Sequence, residues 1–183
     1  MNESSGGGAP RKSFEPRLRR LAEKIDRLAE KDEQTLEYAR HIRSIRVAAA
    51  EEIFRLCSSF VDAVNELVRH GEVVLDPPNY AAGDFQEDAV NLIQMNVRGR
   101  ILQVEFQTTP ELVSTEEFRV PYTLQGFVRG FNQELLDRNR IEEQLIFYTL
   151  EKPKAMWRYF EARTYHSGPF GLEYLIKLME QIV

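Results

Sequence analysis

Between Pro16 and Gly71 the chain runs for 54 residues without another glycine or proline, and its apolar residues recur at intervals of three and four. That spacing gathers them on one side of an α-helix. Pro16 suits a first helical turn, and Gly71 suits the left-handed position just past a helix end. A heptad frame started at Leu18 puts Leu18, Ile25, Asp32, Ala39, Arg46, Ile53, Phe60 and Leu67 at a. The d positions become Leu21, Leu28, Thr35, Ile42, Ala49, Leu56, Ala63 and His70. Twelve of these sixteen are apolar, enough for a coiled-coil seam. The exceptions cluster: Lys31 to Thr35 holds no apolar residue, and Asp32 can cap a second helix. The pattern therefore predicts a break near 31–34 and helices over 17–31 and 33–70. The alternative is one continuous rod paired with another chain.

The apolar stripe is narrow from Leu18 to Leu28 and broad from Ile53 to Val68, where it takes in Phe54, Leu56, Cys57, Phe60, Val61, Val64 and Leu67. A broad stripe belongs to a helix buried against a sheet. The late half is thus expected to dock on a globular body and the early half to project or fold back. Cys57, inside the broad stripe, reads as a small core residue rather than a reactive thiol.

After Gly71 the period changes to two. Short strands are predicted at 72–75, 90–97 and 101–108, the last two joined by Arg98-Gly99-Arg100, where Gly99 can take the positive φ of a tight hairpin. Leu102, Val104 and Phe106 alternate with Gln103, Glu105 and Gln107, as in a sheet with one buried face. Phe118 to Gln125 continues the alternation, with Pro121 marking an edge or a bulge. Further strands are expected near 127–136, 141–150 and 155–165, with turns at 137–140 and 152–154; 166–169 closes the last strand, and Gly171 to Val183 reads as a short amphipathic helix. Helix, then strands, then helix is an α+β order. The expected fold is a long N-terminal helix or helical hairpin, an antiparallel meander of five or six strands, and a C-terminal helix packed on the sheet. Residues 1–13 read as a disordered tail, 14–52 as a helical arm with coiled-coil spacing, and 53–183 as the α+β domain.

Composition narrows the function classes. With 43% hydrophobic and 29% charged residues the chain is globular in type, and its one cysteine can form no internal disulfide or zinc cluster. No apolar window is long enough to span a bilayer, and the first residues lack the apolar core of a secretory signal, so a cytoplasmic setting is expected. The net charge of −5 is uneven: residues 1–50 carry +3 and the remainder −8. The basic excess sits in Arg11, Lys12, Arg17, Arg19 and Arg20. A basic arm can contact phosphate, but a solvated helix start is the simpler reading, and nucleic acid is disfavoured as a partner.

The catalytic inventory is thin. His41, His70 and His166 lack metal-ligand spacing, and no phosphate-binding glycine loop or nucleophile motif occurs. Glu51-Glu52, Glu116-Glu117 and Glu142-Glu143 are sequence neighbours, which diverge on a helix or a strand and make no acid/base couple. Asp84, Glu87 and Asp88 form an acidic loop that matches no calcium pattern. No catalytic residue, metal or cofactor is assigned. A concave polar sheet face under a helix would gather Glu105, Tyr122, Arg129, Tyr148, Arg158 and Tyr165 into a pocket, whereas the wet side of a sheet would make the polar ones cross-strand pairs. Trp157, Tyr159, Phe160 and Tyr165 break strict alternation, so both faces of the last strand are expected to be covered, by the terminal helix or by a second subunit. The leading expectation is a non-catalytic interaction or scaffold protein, a homodimer joined through Leu18, Leu21, Ile25 and Leu28 of the arm, through Trp157 and Tyr159 of the last strand, or both. A domain binding a small apolar ligand between sheet and helix is the first alternative, and nucleic-acid binding through the basic arm the second.

Overall fold

A computed structural model describes residues 11–113, 120–133, 137, 142–151 and 154–183. The N-terminal tail, part of the loop after residue 109, and the turns expected at 137–140 and 152–154 fall wholly or partly outside these residues. Two compact units emerge, divided between Ile42 and Arg43.

One helix, α1 (Arg11–Leu67), passes through the segment where a break was expected. The polar stretch does not stop it because Lys, Glu and Gln are good helix formers, and no residue there imposes a positive φ. Thr35 Oγ1 donates to the Lys31 carbonyl at 2.8 Å, so even its hydroxyl is satisfied within the helix. Pro16 lies inside α1 rather than at its start. So near the N-terminus it removes a single i→i−4 bond. In the first unit every side chain from Phe14 to His41 is exposed.

In the second unit α1 ends at Leu67, and Gly71 turns the chain with φ of +117°. Asn65 ties the return: its Oδ1 accepts from the Val73 amide at 2.8 Å and its Nδ2 donates to the Val73 carbonyl at 3.0 Å.

The sheet has seven strands, not five or six: β1 (Val74–Asp76), β2 (Asn91–Val97), β3 (Arg100–Val113), β4 (Tyr122–Phe131), β5 (Glu142–Thr149), β6 (Met156–Glu161) and β7 (His166–Pro169). Each pairs antiparallel with its neighbour in sequence, a simple meander. The strands also differ from the expected segments in two places. Gly126 and Gly130 lie within β4 and do not divide it. The expected last strand is instead folded at 162–165, where Tyr165 takes φ of +56°, and the residues assigned to its end become β7. The β2–β3 hairpin turns through Arg98 and Gly99, with φ of +51° and +85°, the two successive left-handed residues of a type I′ turn. The closing helix is α2 (Leu172–Glu180).

One sheet face carries the core. Ala49, Ala50, Ile53, Phe54, Cys57, Phe60 and Val61 of α1 pack in one cluster with Ile93, Met95, Leu102, Val104, Phe106, Leu124, Val128, Ile146 and Trp157. Ala49 and Ala50 let the helix approach closely, and Trp157 Nε1 donates to the Ala49 carbonyl at 2.8 Å. Leu175, Met179 and Ile182 close the same core, with Ile182 lying over Gly130, where any Cβ would come within 2.6 Å of its Cγ2. The opposite face holds a second, smaller cluster of Tyr122, Phe147 and Phe160, flanked by Val120 and Leu145.

Candidate functional site

Three places in the fold hold more than packing requires. The first is the exposed stripe of α1. Leu18, Leu21, Ile25 and Leu28 are 53–60% exposed, and Phe14, Leu36 and Tyr38 are exposed to a similar degree. They stand at coiled-coil spacing on a helix whose own ion pairs, Arg19 to Glu15 at 2.9 Å and Arg27 to Glu23 at 3.6 Å, are largely exposed to solvent. Such i,i+4 pairs contribute only about 0.3–0.5 kcal/mol each. Arg17 and Arg20 are exposed as well, while Arg19 is engaged by Glu15. The side chains of Arg11 and Lys12 lie outside the described residues.

The second is a cleft of about 710 Å³ between α2 and the adjoining ends of β4, β5 and β6. Val128, Leu145, Phe160, Tyr174, Leu178 and Ile182 supply its apolar wall, with Glu161, Arg163 and Lys177 among its polar groups. Tyr174 stacks on Tyr159 at 3.9 Å between ring centres, the two rings nearly parallel. Its hydroxyl donates to Gln144 Oε1 at 2.8 Å, and Gln144 Nε2 donates to the Phe160 carbonyl at 2.5 Å. Tyr174, Gln144 and the Phe160 carbonyl thus satisfy one another, while Glu161, Arg163 and Lys177 make the rest of the lining as much polar as apolar.

The third is a polar node. Arg46, 12% exposed, donates from Nε to Thr123 Oγ1 at 2.8 Å, from Nη1 to Glu87 Oε1 at 2.5 Å and from Nη2 to the Thr109 carbonyl at 2.5 Å. Arg43 adds a longer ion pair to Glu87 Oε2 at 3.7 Å. Here α1, β3, β4 and the loop before β2 are joined by one side chain. Asp84, in the same loop, accepts from the Ala81 amide at 2.7 Å. Among the described residues no group of His, Cys, Asp and Glu is placed to hold a metal ion, and no helix is long and apolar enough to cross a membrane.

The residues expected to line a pocket lie apart. Glu105 and Arg129 are on the sheet face opposite the core, in a cross-strand chain: Gln94 Nε2 donates to Gln103 (3.0 Å), Gln103 to Glu105 (3.3 Å), and Arg129 to both Glu105 (3.0 Å) and Glu143 (2.7 Å). The hydrogen bond to Glu143, and the charges of both carboxylates, raise the Arg129 guanidinium pKa further. Arg158, on the same face, donates to Ser167 and Glu151. Tyr122 packs 4.6 Å from the Phe147 ring in the small cluster. Tyr148 faces the other way, into the core, with its hydroxyl 3.5 Å from Glu52. Tyr165 is exposed in the β6–β7 turn. Of the strand residues expected at a subunit contact, Trp157 is buried in the core and Tyr159 is half-buried, stacked on Tyr174 of α2. The terminal helix packs on the same face as Trp157 and Tyr159, and on the other face Phe160 is covered by Tyr122 and Phe147.

Arg46 is the residue that pattern reading underrated, as a polar interruption of the seam. The available signal was a charge amid Ile42, Ile45, Val47 and Ala49: a buried charge must be paired, though its partners are 41 to 77 residues away. Tyr174 and Gln144 carry no signal at all, since their meeting depends on how α2 lies on the sheet.

Burial leaves several acids hard to ionise. Desolvation pushes the Cys57 thiol up to about 12, so it is no nucleophile. Desolvation also raises Tyr80, Tyr148 and Tyr174 to about 12, with smaller contributions from Asp84 and Glu51, from Glu52, and from Tyr159 and Glu161 respectively. An unfolded tyrosine ionises near 10. The folded state favours the neutral phenol, so the associated stability is complete below about pH 10 and is lost as pH rises to about 12. Burial raises Tyr122 as well, so ultraviolet titration is expected to show these four of the seven tyrosines resisting ionisation near pH 10, with unfolding as pH rises from 10 to about 12; ordinary titration of all seven in the folded protein would refute this.

No protein-family model, curated protein or solved structure matches this chain, so its function is argued from these three places alone.

Proposed function

We propose that this protein is a non-catalytic interaction protein that self-associates through the helical arm. The reading rests on one observation: Leu18, Leu21, Ile25 and Leu28 form a seam more than half exposed on a helix whose side chains from Phe14 to Arg40 are all exposed among the described residues. Isolated helices are marginal in water even with good propensity, and most helical stability in proteins comes from packing an amphipathic face. Covering these four side chains on two chains returns on the order of 10 kcal/mol of transfer free energy. Association costs a comparable about 4–15 kcal/mol, so the expected dimer is a moderate, concentration-dependent one.

Sedimentation at micromolar concentration is expected to show a dimer. Replacing Leu21 and Ile25 together with aspartate should return it to monomer and lower its helical circular dichroism, leaving the thermal unfolding of residues 43–183 in place. A wild-type chain that stays monomeric at high micromolar concentration would overturn the proposal.

A second reading is carried by the cleft beside α2: a site for a small ligand with both apolar and polar groups, its apolar part held against Tyr174 and Leu178. Its size falls in the ordinary range of ligand pockets, about 300–1,000 Å³. Anilinonaphthalene sulfonate should fluoresce on the native protein and lose that signal when Leu178 becomes arginine; no native-state signal would count against a ligand there.

A further inference from the structure

We propose that the two helical arms of this dimer run parallel and in register, an inference that rests on the self-association proposed above. The flanks of the seam carry it. With Leu18 at a, the g positions are Arg17, Lys24 and Lys31, all basic, and the e positions are Ala22, Ala29 and Leu36, all apolar; Glu23, Glu30 and Glu37 stand on the outermost line. All nine are exposed on α1.

Parallel strands set each g residue beside the e residue five positions further along in the other chain. Arg17 then lies over Ala22, Lys24 over Ala29 and Lys31 over Leu36 of the second copy. Their aliphatic stems cover apolar surface while the charges stay in water. Antiparallel strands pair g with g, which lines the basic row up against itself on one flank. Like charges at such separations are destabilising by a few tenths of a kcal/mol each.

Asp32 points the same way. In a parallel pair, a residues face one another and each sits in a hole bordered by the preceding g residue of the other chain, so the two Asp32 carboxylates come together with Lys31 of the opposite copy beside each of them to offset their repulsion. In an antiparallel pair, a residues face d residues, and Asp32 would meet Phe14, Leu21, Leu28 or Thr35. The one polar match, Thr35, requires a register that runs Leu18 onto Ala49 and Leu21 onto Arg46. Ala49 is completely buried, and Arg46 is committed to Glu87, Thr109 and Thr123. Parallel pairing is therefore the arrangement that gives Asp32 a cation and keeps the basic row from facing itself. Since Arg43 follows Ile42 directly, both copies of residues 43–183 then join the same end of the paired arm.

Single cysteines test the orientation. Leu21→Cys and Thr35→Cys, made separately, lie four turns apart at d positions. In a parallel, in-register dimer each faces its own copy at a separation suited to a disulfide. Both variants are expected to form disulfide-linked dimers almost completely in a glutathione redox buffer, while the unsubstituted chain, whose only thiol is the buried Cys57, forms none. An antiparallel dimer can bring at most one of the two positions against itself. A charge reversal provides a readout that needs no cysteine: Lys31→Glu should raise the dimer Kd about 5-fold, and adding Asp32→Lys in the same chain should restore it. Dimers in sedimentation that fail to cross-link at either position, or that show no charge-swap rescue, would overturn the parallel arrangement and leave self-association standing. A monomeric wild-type chain would overturn both.

Discussion

Gly126→Ala is expected to prevent the sheet from closing, giving a chain that loses cooperative unfolding and near-ultraviolet circular dichroism. A Cβ at this position would lie 1.9 Å from the Glu105 carbonyl oxygen, 2.8 Å from Phe106 Cα and 2.9 Å from the Glu105 carbonyl carbon. All three are backbone atoms of β3, so no rotamer change can relieve the clash. Gly126 is paired with Phe106 on one side and Ile146 on the other, in the middle of the meander. Relief requires β3 and β4 to part by more than an ångström where their ladder is continuous. Overpacking a core costs about 1–3 kcal/mol and occasionally more, and the backbone clash puts this site beyond about 3 kcal/mol, against a total stability of about 5–15 kcal/mol. Gly83→Ala supplies the control: nothing lies within 4 Å of its Cβ position, and the change should stay within about 0.5 kcal/mol. Urea midpoints that agree for the two variants would show that β3 and β4 yield more readily than their geometry indicates.

Arg46→Ala should destabilise the protein by about 3 kcal/mol, the lower end of the range for breaking a buried ion pair, because Glu87 retains 29% exposure and the more distant Arg43. The loss is less the pair's attraction than what remains after it. The Thr109 carbonyl and Glu87 Oε1 each lose a short donor in a place where water replaces it poorly. Glu87→Gln keeps an acceptor for the guanidinium and should cost clearly less. The two can be ranked by urea denaturation, and equal effects would contradict the account.

The pairings of the sheet were readable wherever period and turn chemistry agreed. Leu102, Val104 and Phe106 alternate cleanly, Arg98-Gly99 supplies the turn, and β2, β3 and their hairpin follow. Reading failed where one of the two signals was weak. At Lys31–Thr35 the apolar pattern lapses, which resembles a break, yet a solvated helix needs propensity rather than apolar residues to continue. At 162–165 the chain reverses without a glycine, using Tyr165 at positive φ, a position such a residue rarely takes. Arm and terminal helix, as elements, were legible from their stripes. The candidate sites divide in the same way. Leu18, Leu21, Ile25 and Leu28 are a local pattern and could be named from spacing. The wall of the cleft and the partners of Arg46 come from segments far apart in the chain, and no local rule brings them together. Tyr148 lies on the core face because it pairs with Leu124, whereas the register shift between Tyr122 and Leu124 puts Tyr122 on the opposite face.

The neighbour-to-neighbour order of the strands bears on how the chain is made. Every strand can pair with the one synthesised just before it, so the sheet can grow hairpin by hairpin as it leaves the ribosome. The helix cannot be completed in that way. Trp157, which donates to the Ala49 carbonyl, lies 108 residues downstream of it. At translation rates of about 5–20 residues per second, the face from Ala49 to Val61 waits roughly 5–20 seconds for its final cover. During that interval Ile93, Met95, Leu102, Val104 and Phe106, made earlier, cover this face only in part, and the stretch against Trp157 is among the last to be buried.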